Sequence, residues 1–193
     1  MRTLVFATHN THKLREVRAM LPDGLKLVGL TDLGRTDPLP ETSDTLEGNA
    51  LQKARYVKEH YGYDCFADDT GLEVDALHGA PGVYSARYAG EDCDSAANVR
   101  KLLAALDGVA DRRARFRTVI AFVTDGGQEY LFEGEVGGHI ATEEHGAGGF
   151  GYDPIFTPDG YDRTFAQLSA DEKNAISHRG RAVRRFVDFL SKM

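Results

Sequence analysis

Two β-rich runs, Arg115 to Thr124 and Gln128 to Val136, are separated only by Asp125-Gly126-Gly127, a spacing that imposes an antiparallel hairpin on the middle of the chain. Ahead of it, apolar residues alternate between two periods. Leu4 to Ala7 reads as a short buried strand, and Leu14, Val17 and Leu21 then recur at helical spacing over Lys13 to Leu21, which Pro22 and Gly24 end. Leu25 to Leu30 suggests a second strand. Asp44, three residues before Glu47, has the form of a capping box, and Leu46, Ala50, Ala54 and Val57 line one face of a helix to about His60. Asp64 to Ala67 reads as a strand ending at Asp68-Asp69, with Leu72 to Ala76 a separate extended piece before the turn Gly79-Ala-Pro-Gly82. Ser95 to Leu106 is helical through Val99, Leu102, Leu103 and Leu106. Ser169 with Glu172 is a second capping box opening a polar helix to Asn174, and Arg179 to Leu190 is a last amphipathic helix. Strands interleaved with helices, plus one hairpin, predict an α/β fold with a mixed sheet.

A length of 193 residues fits a single domain over 1–193. The net charge of −7 disfavours a nucleic-acid backbone as partner, which would need a broad excess of Lys and Arg. No stretch approaches the roughly 18 apolar residues of a membrane span, and the apolar start breaks at Thr8 and His9, too early for a signal peptide. A cytoplasmic location is therefore expected, with no membrane partner. Cys65 and Cys93 form neither a disulfide framework nor a C-x-x-C pair and read as reduced packing residues. Arg112, Arg113, Arg115 and Arg117 read as a solvated turn and an edge strand, with an anion patch as the alternative.

Four segments carry chemistry. Thr8-His-Asn-Thr-His-Lys13 lies where a strand gives way to a helix, so free backbone N–H groups and the helix dipole favour an anion there; Thr8, Asn10 and Lys13 add donors. The alternative is that Asn10 or Thr11 only caps the helix. No G-x-x-x-x-G-K-[ST] is present, which disfavours a P-loop NTPase. Asp68-Asp69, between an apolar run and Thr70-Gly71, suits a divalent cation at a strand end; neighbours on a strand face opposite ways, so Asp69 is assigned the chemistry and Asp68 the turn. In Gly146 to Phe156, glycines allow close approach of a flat ligand, Phe150, Tyr152 and Phe156 offer stacking faces, and Asp153 is a polar reader. Ser177-His-Arg179 opens a helix, where Arg179 can offer a fork to the O6 and N7 edge of a purine.

In order along the chain, Thr8-x-Asn10-x-x-Lys13, Glu41-Thr42, Asn49-Ala50 with Lys53-Ala54, Ala67-Asp-Asp-Thr-Gly71, Gly79-Ala-Pro-Gly-Val-Tyr-Ser-Ala-Arg-Tyr88, Gly149-Phe-Gly-Tyr-Asp-Pro-Ile-Phe156 and Ile176-Ser-His-Arg179 closely resemble the inosine triphosphate pyrophosphatases, also called XTP/dITP diphosphatases. The resemblance implies Mg²⁺-dependent hydrolysis of dITP, ITP and XTP to monophosphate and pyrophosphate, with one or more ions per subunit. It also implies an elongated mixed sheet flanked by helices, two lobes with a central substrate cleft, and a homodimer. By position, Thr8, Asn10, Lys13 and Lys53 would hold phosphates, with His9, Thr11 and His12 in the same substrate-binding loop. Glu41 and Asp69 would bind metal, Asp69 would also take the proton of the attacking water, and Thr70 would lie beside them. Phe150, Gly151, Tyr152, Asp153, Lys173, His178 and Arg179 would hold the base. Three positions depart from the family: Thr70 for Ser, His9 for Gly, and Gly48 for the usual Glu before Asn49, which would pass that acid's role to Glu41 or Glu47.

Overall fold

In the computed structural model, which describes residues 2–193, strand β1 (Arg2–Phe6) pairs in parallel with β2 (Leu25–Gly29) and with β3 (Cys65–Val74). Parallel neighbours need crossovers, and helices α1 (Thr11–Met20) and α2 (Leu46–Tyr61) lie in the two connections. Beyond β3 the chain runs through β4 (Pro81–Gly82), α3 (Ser95–Ala105), the pair β5 (Arg113–Val123) and β6 (Glu129–Ile140), then β7 (Phe156–Pro158), α4 (Ala170–Ile176) and α5 (His178–Leu190). The sheet has seven strands in the order β2-β1-β3-β5-β6-β7, with β4 on β3; β4 and β7 run antiparallel to their neighbours, so the sheet is mixed. Thr124 to Gln128 closes the β5–β6 hairpin, with Gly127 at φ +75° where a side chain would be strained.

The fold divides into two compact units: Met1–Asp69 with Thr118–Gly134 and Arg179–Met193, and Thr70–Arg117 with Glu135–His178. The core of the first is aromatic. Phe6 stacks on Phe66 at 4.6 Å between centroids, and Phe186 from the apolar stripe of α5 meets Phe66 at 4.8 Å and Phe122 at 5.3 Å. Each such ring, fully buried, is worth roughly 1.5–3 kcal/mol. In the second unit Phe116, Phe156 and Phe165 form the aromatic centre, with Leu72, Val99, Leu102, Val136 and Ile155 around them. Among the described residues no helix is long and apolar enough to cross a membrane.

Several elements differ from expectation for identifiable reasons. α2 is capped by Thr45, whose hydroxyl accepts from Gly48 N–H at 3.0 Å, so Asp44 is not the cap. β3 does not stop at the paired aspartates; it runs through them, and the polar stretch is paid for by ion pairs. β6 continues through Gly137 and Gly138 because there a side chain is not wanted: a Cβ on Gly138 would meet Thr157 O at 2.2 Å, where β7 lies close. β5 is flanked by β3 and β6, so it is not an edge strand, and its arginines are not merely solvated. Arg113 pairs with Asp159, Arg115 with Glu73 and Glu135, Arg117 with Glu73, and Arg112 donates to the carbonyls of Leu106, Ile140 and Ala141. Cys65 is buried as expected, whereas Cys93 is exposed and packs no core.

Candidate active site

In the first unit, β1 ends opposite Phe66 while β3 runs on, so Asp68 and Asp69 project past the carboxyl end of β1, where the loop to α1 begins. Adjacent strand residues face opposite ways, and the two carboxylates take separate partners. Asp68 Oδ1 accepts from Lys13 Nζ at 2.9 Å, and its Oδ2 lies 3.4 Å from Arg179 Nε. Arg179 also donates to Glu16. Asp69 Oδ1 lies 3.6 Å from Lys53 Nζ, which donates to Glu41 Oε1 at 2.6 Å. Lys53 stands on the buried face of α2 with Asn49, Ala50 and Ala54, so helical spacing aims it at the strand.

The charges shift one another. Burial alone raises the Asp68 carboxyl, but Lys13, Arg179 and Lys53 outweigh it and hold the group down at about 2. Asp69 goes the other way: burial lifts it above the ordinary carboxylate range despite Lys53 and Lys13, with Glu41 and Asp68 adding to the rise. Burial pulls Lys13 down, whereas Lys53 is held up by Asp69, Glu41 and Asp68 against the same effect. Among the described residues Asp69 Oδ2 is buried with no hydrogen-bond partner, a state that costs about 1–3 kcal/mol and invites a donor or a cation.

Among the described residues no group of three or more His, Cys, Asp and Glu side chains is gathered as a cation cage. Glu41 and Asp69, meeting on Lys53 and offering the orphaned Oδ2, nevertheless fit a hard cation that completes its shell with phosphate oxygens and water. Gly48 supplies nothing, and the space is taken: a Cβ there would meet Ser43 Oγ at 2.0 Å.

The loop to α1 is built around Asn10, whose side-chain oxygen accepts from His12 N–H and Lys13 N–H, while Thr8 Oγ1 accepts from Asn10 N–H at 3.1 Å. This loop caps α1, which begins at Thr11 rather than Lys13. Thr11 and His12 are exposed, and the His9 ring turns to the carbonyl of Asp37.

In the second unit Asp153 and Lys173 form a buried pair at 2.6 Å, with Phe150 N–H donating to the same carboxylate oxygen at 3.0 Å. Lys173 Nζ sits 4.8 Å from the centroid of the Phe150 ring. Gly149, at φ +68°, is needed because a Cβ would meet Asp153 Oδ2 at 2.1 Å. Gly151 adjoins it. Tyr152 and Phe156 are not stacking faces: both are core, Phe156 packed on Phe116, and Tyr152 donating its hydroxyl to Ser85 O at 2.7 Å. His178 is buried flat against Phe116 at 4.6 Å. Arg179 belongs to the carboxylates of the first unit, so its fork is engaged by Glu16 and Asp68. Sequence reasoning missed Glu16, one helical turn past Lys13, and Ser85, which fastens Tyr152; the i, i+3 spacing from Lys13 was the signal for the former.

The Ham1 family model matches residues 4–189. The chain belongs to the Ham1 family. It is 55% identical over 191 residues to the dITP/XTP pyrophosphatase of Porphyromonas gingivalis, covering 98% of each chain. It is 52% identical to that of Flavobacterium johnsoniae over 97% of each. The solved structure of a HAM1 protein from Coxiella burnetii superposes with a TM-score of 0.90 at 39% identity over the whole of both chains. This Ham1 chain therefore shares its mixed sheet with solved relatives, which accords with the fold class read from its sequence.

Proposed function

We propose that the chain hydrolyses the non-canonical purine nucleoside triphosphates dITP, ITP and XTP to the monophosphate and pyrophosphate. It would thereby keep deaminated purines out of DNA and RNA, in the cytoplasm. The observation that carries the reading is Asp69: a buried carboxylate with an unpartnered oxygen, raised in basicity by burial, 3.6 Å from one lysine and beside an acidic residue on the same lysine. A base for a water proton needs those properties.

Lys13, Lys53 and the Thr8 hydroxyl serve the phosphates, and both lysines stabilise charge gathering on the leaving pyrophosphate. Lys13 exchanges Asp68 for phosphate oxygens, which is easier because burial already disfavours its charged form and an incoming anion relieves that. Asp69 accepts the proton of the attacking water. Glu41 and Asp69 would hold Mg²⁺, which when bound draws charge off the phosphate oxygens. Thr70 flanks Asp69 and sets a hydroxyl beside it.

For the base, Lys173 is the donor suited to a 6-keto oxygen, held in place by Asp153 and lying over Phe150, with Gly151 beside them. Adenine presents an amino donor at that position, and a fixed donor meeting a donor is penalised strongly. Tyr152 and His178 shape this pocket from the core, and Arg179 acts on the phosphate side through Asp68. Purified protein with Mg²⁺ and a panel of dITP, ITP, XTP, ATP and GTP, assayed for pyrophosphate, tests the reading. Release from ATP and GTP as fast as from ITP would overturn it. The family resemblance also favours a homodimer, which light scattering would register as twice the 21.2 kDa chain mass.

A further inference from the structure

Glu41 stands near the end of an irregular stretch running from Gly34 to the start of α2, and what fixes that stretch decides where Glu41 lies. Its far end is clamped to α2: Thr42 N–H donates to Gln52 Oε1 at 2.9 Å, Gln52 Nε2 donates to Thr42 Oγ1 at 2.8 Å, and Ser43 N–H donates to Asn49 Oδ1 at 2.9 Å. Its middle is exposed and is held by side chains from two other places. Tyr61, the last residue of α2, donates its hydroxyl to Asp37 Oδ2 and lies under the Arg35 guanidinium at 4.6 Å. From the other side His9 reaches the carbonyl of the same Asp37 at 2.8 Å. A carbonyl only accepts, so His9 Nε2 carries the hydrogen there, in either protonation state of the ring.

His9 lies between Thr8 and Asn10, the residues that shape the loop before α1, so one side chain joins the loop leading to Lys13 to the loop bearing Glu41. We propose that His9, Asp37 and Tyr61 form a staple that positions Glu41 against the phosphate loop, with His9 as the positioning residue. The staple acts on the free enzyme, ordering two loops before ligand arrives, so it should govern binding more than turnover. The proposal rests on Glu41 being a cation ligand in the reaction proposed above.

The test compares His9→Ala, Tyr61→Phe and the double variant in the full chain. Tyr61→Phe keeps the ring under Arg35 and removes only the hydroxyl. Three quantities are read: tryptic cleavage after Arg35, the dissociation constant of Mn²⁺ from the free protein by electron paramagnetic resonance, and KM and kcat for ITP. Loss of either hydrogen bond should speed cleavage and weaken Mn²⁺ binding by about threefold to tenfold, the range such a bond commands. KM should rise in step while kcat stays within about twofold, and the double variant should be no worse than the poorer single, because one staple is broken either way. Unchanged cleavage and Mn²⁺ affinity in His9→Ala would overturn the staple, as would a double variant whose effect is the product of the singles. If cleavage and Mn²⁺ affinity shift as expected while no variant or parent hydrolyses ITP, the staple stands and the proposed reaction falls.

Discussion

Replacing Lys173 by Met removes a cation from a buried pair while keeping most of its apolar stem. Both partners are nearly closed to solvent, with side chains 5% exposed, and Nζ is 2.6 Å from Asp153 Oδ2. Breaking such a pair by removing one partner costs about 3–5 kcal/mol, because the surviving charge stays buried. In a chain of this size each kcal/mol lowers Tm by roughly 2–4 °C, so the expected loss is on the order of 6–20 °C. The double variant Lys173→Met/Asp153→Asn removes both charges and keeps an acceptor for Phe150 N–H. It should recover at least half of the loss, falling short of the parent by about 1 kcal/mol, the share of the cation lying 4.8 Å from the Phe150 ring and 5.7 Å from that of Phe165. Urea denaturation at neutral pH reads the stabilities, and steady-state kinetics with ITP and ATP reads the pocket. Both variants should lose most of their preference for ITP, since the donor to the 6-keto oxygen is gone. A single-variant cost under about 1 kcal/mol, or a double-variant cost equal to the sum of the singles, would refute the pair as a coupled buried unit. A retained preference for ITP would refute Lys173 as the reader of the base.

Asp69→Asn keeps the size of the side chain but not its basicity, so turnover of ITP should fall by at least about a thousandfold while equilibrium nucleotide binding, measured by calorimetry, changes little. Burial pushes the Cys65 thiol up to about 12, so its thiolate is scarce until the pH nears that value. A disulfide reagent at pH 8 should therefore label only the exposed Cys93 in the native protein and both thiols in urea; rapid labelling of two would mean that α2 and β3 part readily at the Cys65 Sγ–Ala54 O contact of 3.2 Å. Gly48→Ala should destabilise despite better helix propensity, because the new Cβ falls 2.0 Å from Ser43 Oγ, and Ser43→Gly should rescue it in part, since Thr45 Oγ1 still lies 2.9 Å away. A stable Gly48→Ala variant with full activity would show that Ser43 moves aside at no cost.

How much of this was legible beforehand follows the range of the forces involved. Capping and turn chemistry act over three or four residues, and so Ser169-x-x-Glu172 and the Asp125 to Gly127 turn read correctly from the chain. Apolar periodicity likewise placed α3 almost to the residue, but it set Lys53 and Asn49 on a different face of α2 from the apolar stripe, and only the fold buries them. The Asp44-x-x-Glu47 spacing misplaced the start of α2 by one residue, because the Thr45 hydroxyl takes the cap position and accepts from Gly48 N–H. Long-range partners were invisible. Paired carboxylates look like a strand end until Lys13, Lys53 and Arg179 arrive from remote segments to carry them inside β3, and a Gly-Gly pair looks like a break until β7 lies against it. Phe156 and Tyr152 were aromatic in the right motif, yet only packing against Phe116 and the Ser85 carbonyl assigned them to the core. Residue types and local spacing thus determined which chemistry this protein carries, and tertiary structure decided which of those groups are charged, buried or already engaged, because desolvation and ion pairing depend on neighbours that sequence distance does not disclose.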